Sequence, residues 1–327
     1  MKLDLRNKEI LYELMKDCRQ TSSSIGRKIR ASREVVDYRI KKLEDNGFVK
    51  GYLTLVDTDK LGFTSYNTHL LLQNFTSERK QEIIDYLKNH PFVKWIAACS
   101  GKWDLIITVL SKDKFHFDTI ITEIFTYMGN NLRDHYTSER VKIYKDADLL
   151  FVNPKAKISS HIEPERKVDA KIDEKDIVIL EVMSKNARTN IIDIAKEVKL
   201  TPEATSHRIK NLTKKNIIRS FRAFIDTSKL DYLHHMLLLE VRNLTKEVES
   251  KMISFCNMNS NIFYVDKNIS SYNIRMEIMS KDHEGFQELL EKIRNDFPEI
   301  KSYELLVMFK DYKQVSFVKG LKTFLLS

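Results

Sequence analysis

"SREVVDYRIKKLEDNGFVKGY", residues 32–52, and "TPEATSHRIKNLTKKNIIRSF", residues 201–221, are one pattern written twice. Each opens on a hydroxyl residue, passes through Arg-Ile-Lys to a leucine, and closes on an apolar pair, a basic residue and an aromatic. In the first, Val36, Ile40 and Leu43 share one stripe of a helix expected over 34–46. Ser32 stands where a hydroxyl caps such a helix, and Gly47 where the chain turns left-handed to leave it. In the second the stripe is Thr205, Ile209 and Leu212, with Thr201 as cap. Pro202 takes the first helical position, where a missing amide hydrogen loses no helical bond.

The likeness extends outward. At an offset of 169, residues 3–63 match 172–232 without a gap at 15 of 61 positions. Asp4 meets Asp173, Ile10-Leu11 meets Ile179-Leu180, and Asp57-Thr58 meets Asp226-Thr227. The chain is an internal duplication. Upstream of each pattern lie two further helical stretches, Ile10 to Met15 and Ile25 to Ile29 in the first unit, with Ile191 to Val198 matching the second of them. Downstream, "FVKGYLTLVD" reads as a wing. Three short helices and a wing make a winged helix-turn-helix.

The rest of each unit alternates strand and helix in the order βαββαβ, from "YNTHLLLQN" to "NLRDHYTSERVKIY" and from "HMLLLEV" to "KSYELLVMF". That is the ferredoxin-like order, with helices on one sheet face and the other in need of cover. The expected class is α+β, with two winged helix-turn-helix domains alternating with two ferredoxin-like domains that pair sheet to sheet. The expected boundaries are 1–62, 63–150, a linker at 151–171, 172–231, 232–312, and a C-terminal tail at 313–327 that docks on the second sheet or on a partner chain.

Composition narrows the function. A length of 327 residues calls for more than one core. A formal net charge of +9 favours polyanionic partners. Cys18, Cys99 and Cys256 are far apart and suit a reducing compartment. The N-terminus has no signal-peptide core, and no apolar run is long enough for a membrane span. A cytoplasmic location is expected, without membrane contact, cofactor or metal.

"LDLRNKEILYEL", "RIKKLEDNGFVKGY" and "GKWDLIITV", in that order and spacing, resemble the landmarks of the Lrp/AsnC family of transcriptional regulators. The resemblance implies double-stranded DNA as partner, an effector-sensing α/β domain, and dimers or larger assemblies. Here the pairing is expected within one chain as a pseudo-dimer or between chains. It also implies an amino-acid-type effector near the turn of Ser100, Gly101, Lys102 and Asp104. The second unit has Ser270 and Asn273 where the first has Gly101 and Asp104, so an effector is expected in the first unit alone.

A recognition helix enters the major groove with its first turns. The expected DNA contacts of the first unit are Ser32, Arg33, Glu34, Asp37, Tyr38, Arg39, Lys42 and Lys50. Those of the second are Thr201, Glu203, Ser206, His207, Arg208, Lys210, Lys214 and Arg219. Arg33 is placed at a base edge, Arg39 and Lys42 at phosphates. Two alternatives stand beside this reading. One is a coating protein with little sequence choice. The other is an enzyme like the siroheme decarboxylases, which share this two-part fold. Against the enzyme, His69, His90, His116, His135, His234 and His235 form no pair at ligand spacing with an acidic helper.

Overall fold

The architecture comes from a computed structural model, which describes residues 3–146 and 172–326; the expected linker lies outside them. Each unit begins with three helices, α1 Leu5–Lys16, α2 Ser22–Ile29 and α3 Arg33–Asp45, repeated as α6 Glu174–Lys185, α7 Ile191–Val198 and α8 Pro202–Lys214. Every one is capped by a side chain accepting from the first turn: Asp4, Thr21 and Ser32, then Asp173, Asn190 and Thr201. The second and third helices are joined through Arg30 and Lys199, equivalent positions that are both left-handed. Gly47 ends α3 at φ +68°, and its counterpart Asn216 ends α8 at φ +53°.

The wing is not a hairpin within one unit. Strands β1 Val49–Val56 and β6 Ile218–Ile225 pair antiparallel with each other across the duplication. The exchange obeys a pseudo-two-fold. The Asp57 amide donates to the Ile217 carbonyl and the Asp226 amide to the Phe48 carbonyl. The Cys18 amide donates to Phe221 and the Ala187 amide to Tyr52. Arg19 stacks on the Phe221 ring and Arg188 on the Tyr52 ring. Each helical core is therefore built by both halves. Ala223 and Ile225 pack among Ile10, Leu14, Val36 and Leu43, while Val56 and Phe63 pack among Ile179, Met183, Ile209 and Leu212.

The remaining strands are β2 Thr64–Leu72, β3 Val93–Ser100, β4 Leu105–Ser111 and β5 Leu132–Asp146, then β7 Leu233–Val241, β8 Ile262–Ile269, β9 Ile274–Ser280 and β10 Ile300–Gln314. They overturn the expectation of two separate ferredoxin-like sheets stacked face to face. All eight form one closed barrel in the order β10-β3-β4-β2-β5-β8-β9-β7. The seams are β5 with β8 and β10 with β3, so each half lends a long strand to the edge of the other. Closure explains the choice: stacked sheets would leave four strand edges unpaired, and a barrel leaves none. It also explains why β4 and β9 are buried at every position. One face looks into the barrel, around Cys99, Trp103, Met236 and Leu306. The other lies under helices α4 Ser77–Asn89 and α5 Lys114–Met128, or α9 Lys246–Met258 and α10 His283–Asp296.

The tail departs from expectation as well. Its first residues finish β10, and the rest forms α11 Lys319–Leu325 against α6, with Lys322 bonded to Glu181 at 2.9 Å. Phe324 lies over Phe63, Phe92 and His116 of the first half, not on the second sheet.

Candidate nucleic-acid interface

The stripe that buries α3 leaves its opposite face in solvent. Ser32, Arg33, Glu34, Asp37, Tyr38 and Lys42 are all exposed, Tyr38 by 65%. On α8, Thr201, Glu203, His207, Lys210 and Lys214 are exposed and Ser206 is half-buried. First-turn amides and the Ser32 side chain hold the Glu34 carboxyl below its ordinary range, so this turn carries a negative charge among its cations. Arg33 and Asp37 pair along the helix at 3.4 Å, both still exposed. Lys42 lies over the Tyr38 ring, and His207 lies beside Asn211 at 3.2 Å.

Four expected contacts are engaged inside the protein. Arg39 donates to both oxygens of Asp4 at 2.9 and 2.7 Å and to Asn7 at 2.9 Å. Arg208 repeats this with Asp173 at 2.9 and 2.8 Å and Asp176 at 2.9 Å. These arginines tie the third helix of each unit to the start of its first. Donating to the Asp176 and Asp173 carboxylates raises the Arg208 guanidinium above its ordinary value. Lys50 pairs with Asp226 at 3.0 Å, and its equivalent Arg219 approaches Asp146 at 3.9 Å. Both belong to wing strands, Lys50 reaching the residue that follows β6 and Arg219 the end of β5. The signal that separates bracing from reading was present in the duplication. Asp4 and Arg39 recur together as Asp173 and Arg208, whereas Arg33 and Tyr38 become Pro202 and His207.

The expected effector turn is occupied by backbone contacts. An Asp104 oxygen accepts the Leu72 amide at 2.7 Å, and Asn273 accepts the equivalent Val241 amide at 2.9 Å. Gly101 adopts φ +127°, and a Cβ there would meet the Leu305 carbonyl of β10 at 2.8 Å. Its close neighbour is a strand of the other half. Ser100 and Lys102 are exposed, with Lys102 over the Trp103 ring.

Among the described residues His69 lies among Trp103 and Tyr136, His90 and His116 flank Phe92, His235 stacks on Phe286, and His234 is bonded to Glu277 at 3.2 Å. Among the described residues no helix is long and apolar enough to cross a membrane.

A family model for winged helix-turn-helix DNA binding matches this chain twice, at residues 3–50 and 172–219. LrpA of Pyrococcus horikoshii is 43% identical over 111 residues, 34% of this chain and 77% of that protein. LrpC of Bacillus subtilis is 37% identical over 101 residues, 31% of this chain and 70% of that protein. An HTH-type transcriptional regulator of Pyrococcus furiosus is 32% identical over 127 residues, 38% of this chain and 82% of that protein. Among solved structures, the siroheme decarboxylase NirDL matches end to end, with 98% of this chain and 97% of that one covered at a TM-score of 0.60. Its sequence identity is 14%, so the likeness is one of fold alone. With the duplicated helix-turn-helix units, the exchanged wing and these relatives in view, the chain belongs to the Lrp/AsnC family of helix-turn-helix transcriptional regulators.

Proposed function

We propose that this chain binds double-stranded DNA with sequence choice and regulates transcription, α3 and α8 serving as its two reading helices. One observation carries the proposal: the first turns of both helices stand in solvent, while the arginines behind them are locked to the protein. A fixed helix with a free leading turn suits major-groove entry. The composition of those turns favours choice over coating. Glu34 and Glu203 sit where a non-specific binder would place a cation. A carboxylate repels phosphates but can accept from the exocyclic amine of cytosine.

The two half-sites differ. Arg33, Asp37 and Tyr38 face DNA from one helix, and Ser206, His207 and Asn211 from the other. The operator is accordingly an imperfect palindrome, bound in one orientation. The exposed Lys41, Lys42, Lys210 and Lys214 supply phosphate contacts, so affinity falls steeply with salt. Such a role belongs in the cytoplasm of bacterial or archaeal cells, where the DNA is.

Selection of bound genomic fragments by the purified protein, followed by footprinting, tests this. Short protected sites with two unlike half-sites are expected. Long continuous protection, or affinity that stays flat as salt is added, would overturn it.

A further inference from the structure

Offset by 169 residues, the two helix-turn-helix units carry the same net charge in different places. From the start of α2 through the first turn of α3, residues 22–34 hold Arg27, Lys28, Arg30 and Arg33 against Glu34, a net charge of +3. In the equivalent residues 191–203, Asp193 replaces Ser24, Glu197 replaces Lys28 and Pro202 replaces Arg33, and the net charge is −1. The middle of the reading helices, 35–42 and 204–211, is +2 in both units. The last turn reverses the contrast. Residues 43–46 carry Glu44 and Asp45, and residues 212–215 carry Lys214 and Lys215, −2 against +2.

Arg27 is on α2 and Arg30 is the left-handed link into α3. Both are exposed, and among the described residues neither side chain has an ion-pair or hydrogen-bond partner. Lys28 beside them leans back on Glu13 at 2.5 Å. The equivalent Lys196 and Lys199 are exposed too, but they stand among Asp193, Glu197 and Glu203, and Lys196 faces Asp193 at 3.9 Å. At the other end of the reading helices, Lys214 and Lys215 are exposed where α8 stops, and Glu44 and Asp45 are exposed where α3 stops. A backbone phosphate is drawn to the start of α3 and repelled from its end; around α8 both signs reverse. We infer that the two units hold the DNA backbone at opposite ends of their reading helices, the first through Arg27 and Arg30 ahead of α3, the second through Lys214 and Lys215 at the end of α8. The inference rests on the DNA-binding reading above and adds to it which phosphates each half-site must offer. Residues 22–46 and 191–215 both total +3, so neither half-site is the weaker electrostatically; they differ in where the strand is held.

The test titrates the full chain with the selected duplex at several salt concentrations. Arg27→Ala with Arg30→Asn should lower the log–log salt slope by about 1.8, two phosphates at about 0.9 each. Asparagine is chosen because it tolerates the left-handed link. Lys214→Ala with Lys215→Ala should lower the slope by about as much. Lys196→Ala with Lys199→Asn, the matched positions of the second unit, should change it by less than about 0.5. Melting checks that each variant folds. Ethylation interference with the wild type needs no variant and should mark non-equivalent phosphates in the two half-sites. Equal slope losses for the Arg27 and Lys196 pairs would overturn the inference, as would an interference pattern with two-fold symmetry. So would a Lys214 pair that lowers melting and leaves the slope intact, since those lysines would then only offset the dipole of α8. Each of these outcomes leaves DNA binding in place, whereas a wild type that binds no duplex removes both readings.

Discussion

At the scale of single residues, the duplication keeps the Asp4–Arg39 brace as Asp173–Arg208 and changes the exposed Arg33 and Tyr38 to Pro202 and His207. Arg39 and Arg208 hold helices together, so Arg39→Ala should lower unfolding free energy by about 1 kcal/mol or less, as for an exposed ion pair. It should leave the salt dependence of DNA affinity unchanged. Lys42→Ala should do the reverse: unchanged melting, weaker DNA binding, and a log–log salt slope smaller by about 0.9. Anisotropy titrations at several salt concentrations separate the two. A different residue governs alkaline behaviour. Lys145 is fully buried, its Nζ capping the end of α9 through the carbonyls of Cys256 and Asn259 at 2.5 and 2.9 Å. Burial lowers its ammonium from 10.5 to about 8, and Lys313 is lowered to about 8 as well. Between about 8 and 10.5 the unfolded chain holds protons that the folded chain has released. These groups therefore make stability rise with pH across that window and leave a constant cost below it. Lys145→Met should roughly halve the rise between about pH 8 and 9, read from melting temperature against pH; above that the buried Cys18, Cys99 and Cys256 thiols, pushed up to about 12, oppose the lysines.

At the scale of elements, helices and strands were legible in the sequence because their periods are local. The stripe Val36, Ile40 and Leu43 is buried as its spacing requires, and Gly47 leaves α3 left-handed. Asn216 does the same for α8 without being glycine, which asparagine tolerates better than other residues. Gly47→Val should cost about 1–2 kcal/mol and Asn216→Gly less than about 0.5 kcal/mol, measured by denaturant unfolding. What the periods do not carry is the identity of a strand's partner. "FVKGYLTLVD" has the alternation of a wing, but β1 finds its partner in the other unit. The barrel was hidden for the same reason. A ferredoxin-like order is compatible with stacked sheets or with joined edges, and the length of β5 and β10 beyond their own unit was the one local sign of joining. The exposed first turns of α3 and α8 were legible from capping and spacing. The engagement of Arg39 and Arg208 was legible only through their recurrence with Asp4 and Asp173, and that of Lys50 and Arg219 was not, because a charge on a short strand has the same sequence signature whether it faces solvent or a carboxylate.

At the scale of the whole molecule, the two halves are fused in structure as well as in sequence. Both helical cores and the barrel need residues from each half. Heat unfolding should accordingly show one cooperative transition, with calorimetric and van't Hoff enthalpies equal. A fragment of residues 1–146 should be a self-associated dimer or unfolded, never a folded monomer, as checked by size-exclusion chromatography with circular dichroism. The fused frame also fixes the unlike helices α3 and α8 in one rigid relation, which is the basis for the oriented operator proposed above. The most direct measurement takes the duplex enriched by selection and compares its affinity for the wild type, for Arg33→Ala with Tyr38→Ala, and for His207→Ala with Asn211→Ala. Each pair should weaken binding at least tenfold and relax sequence choice in one half-site only, with melting unchanged. Affinity and sequence choice untouched by both pairs would contradict the assignment of α3 and α8 as the helices that read DNA.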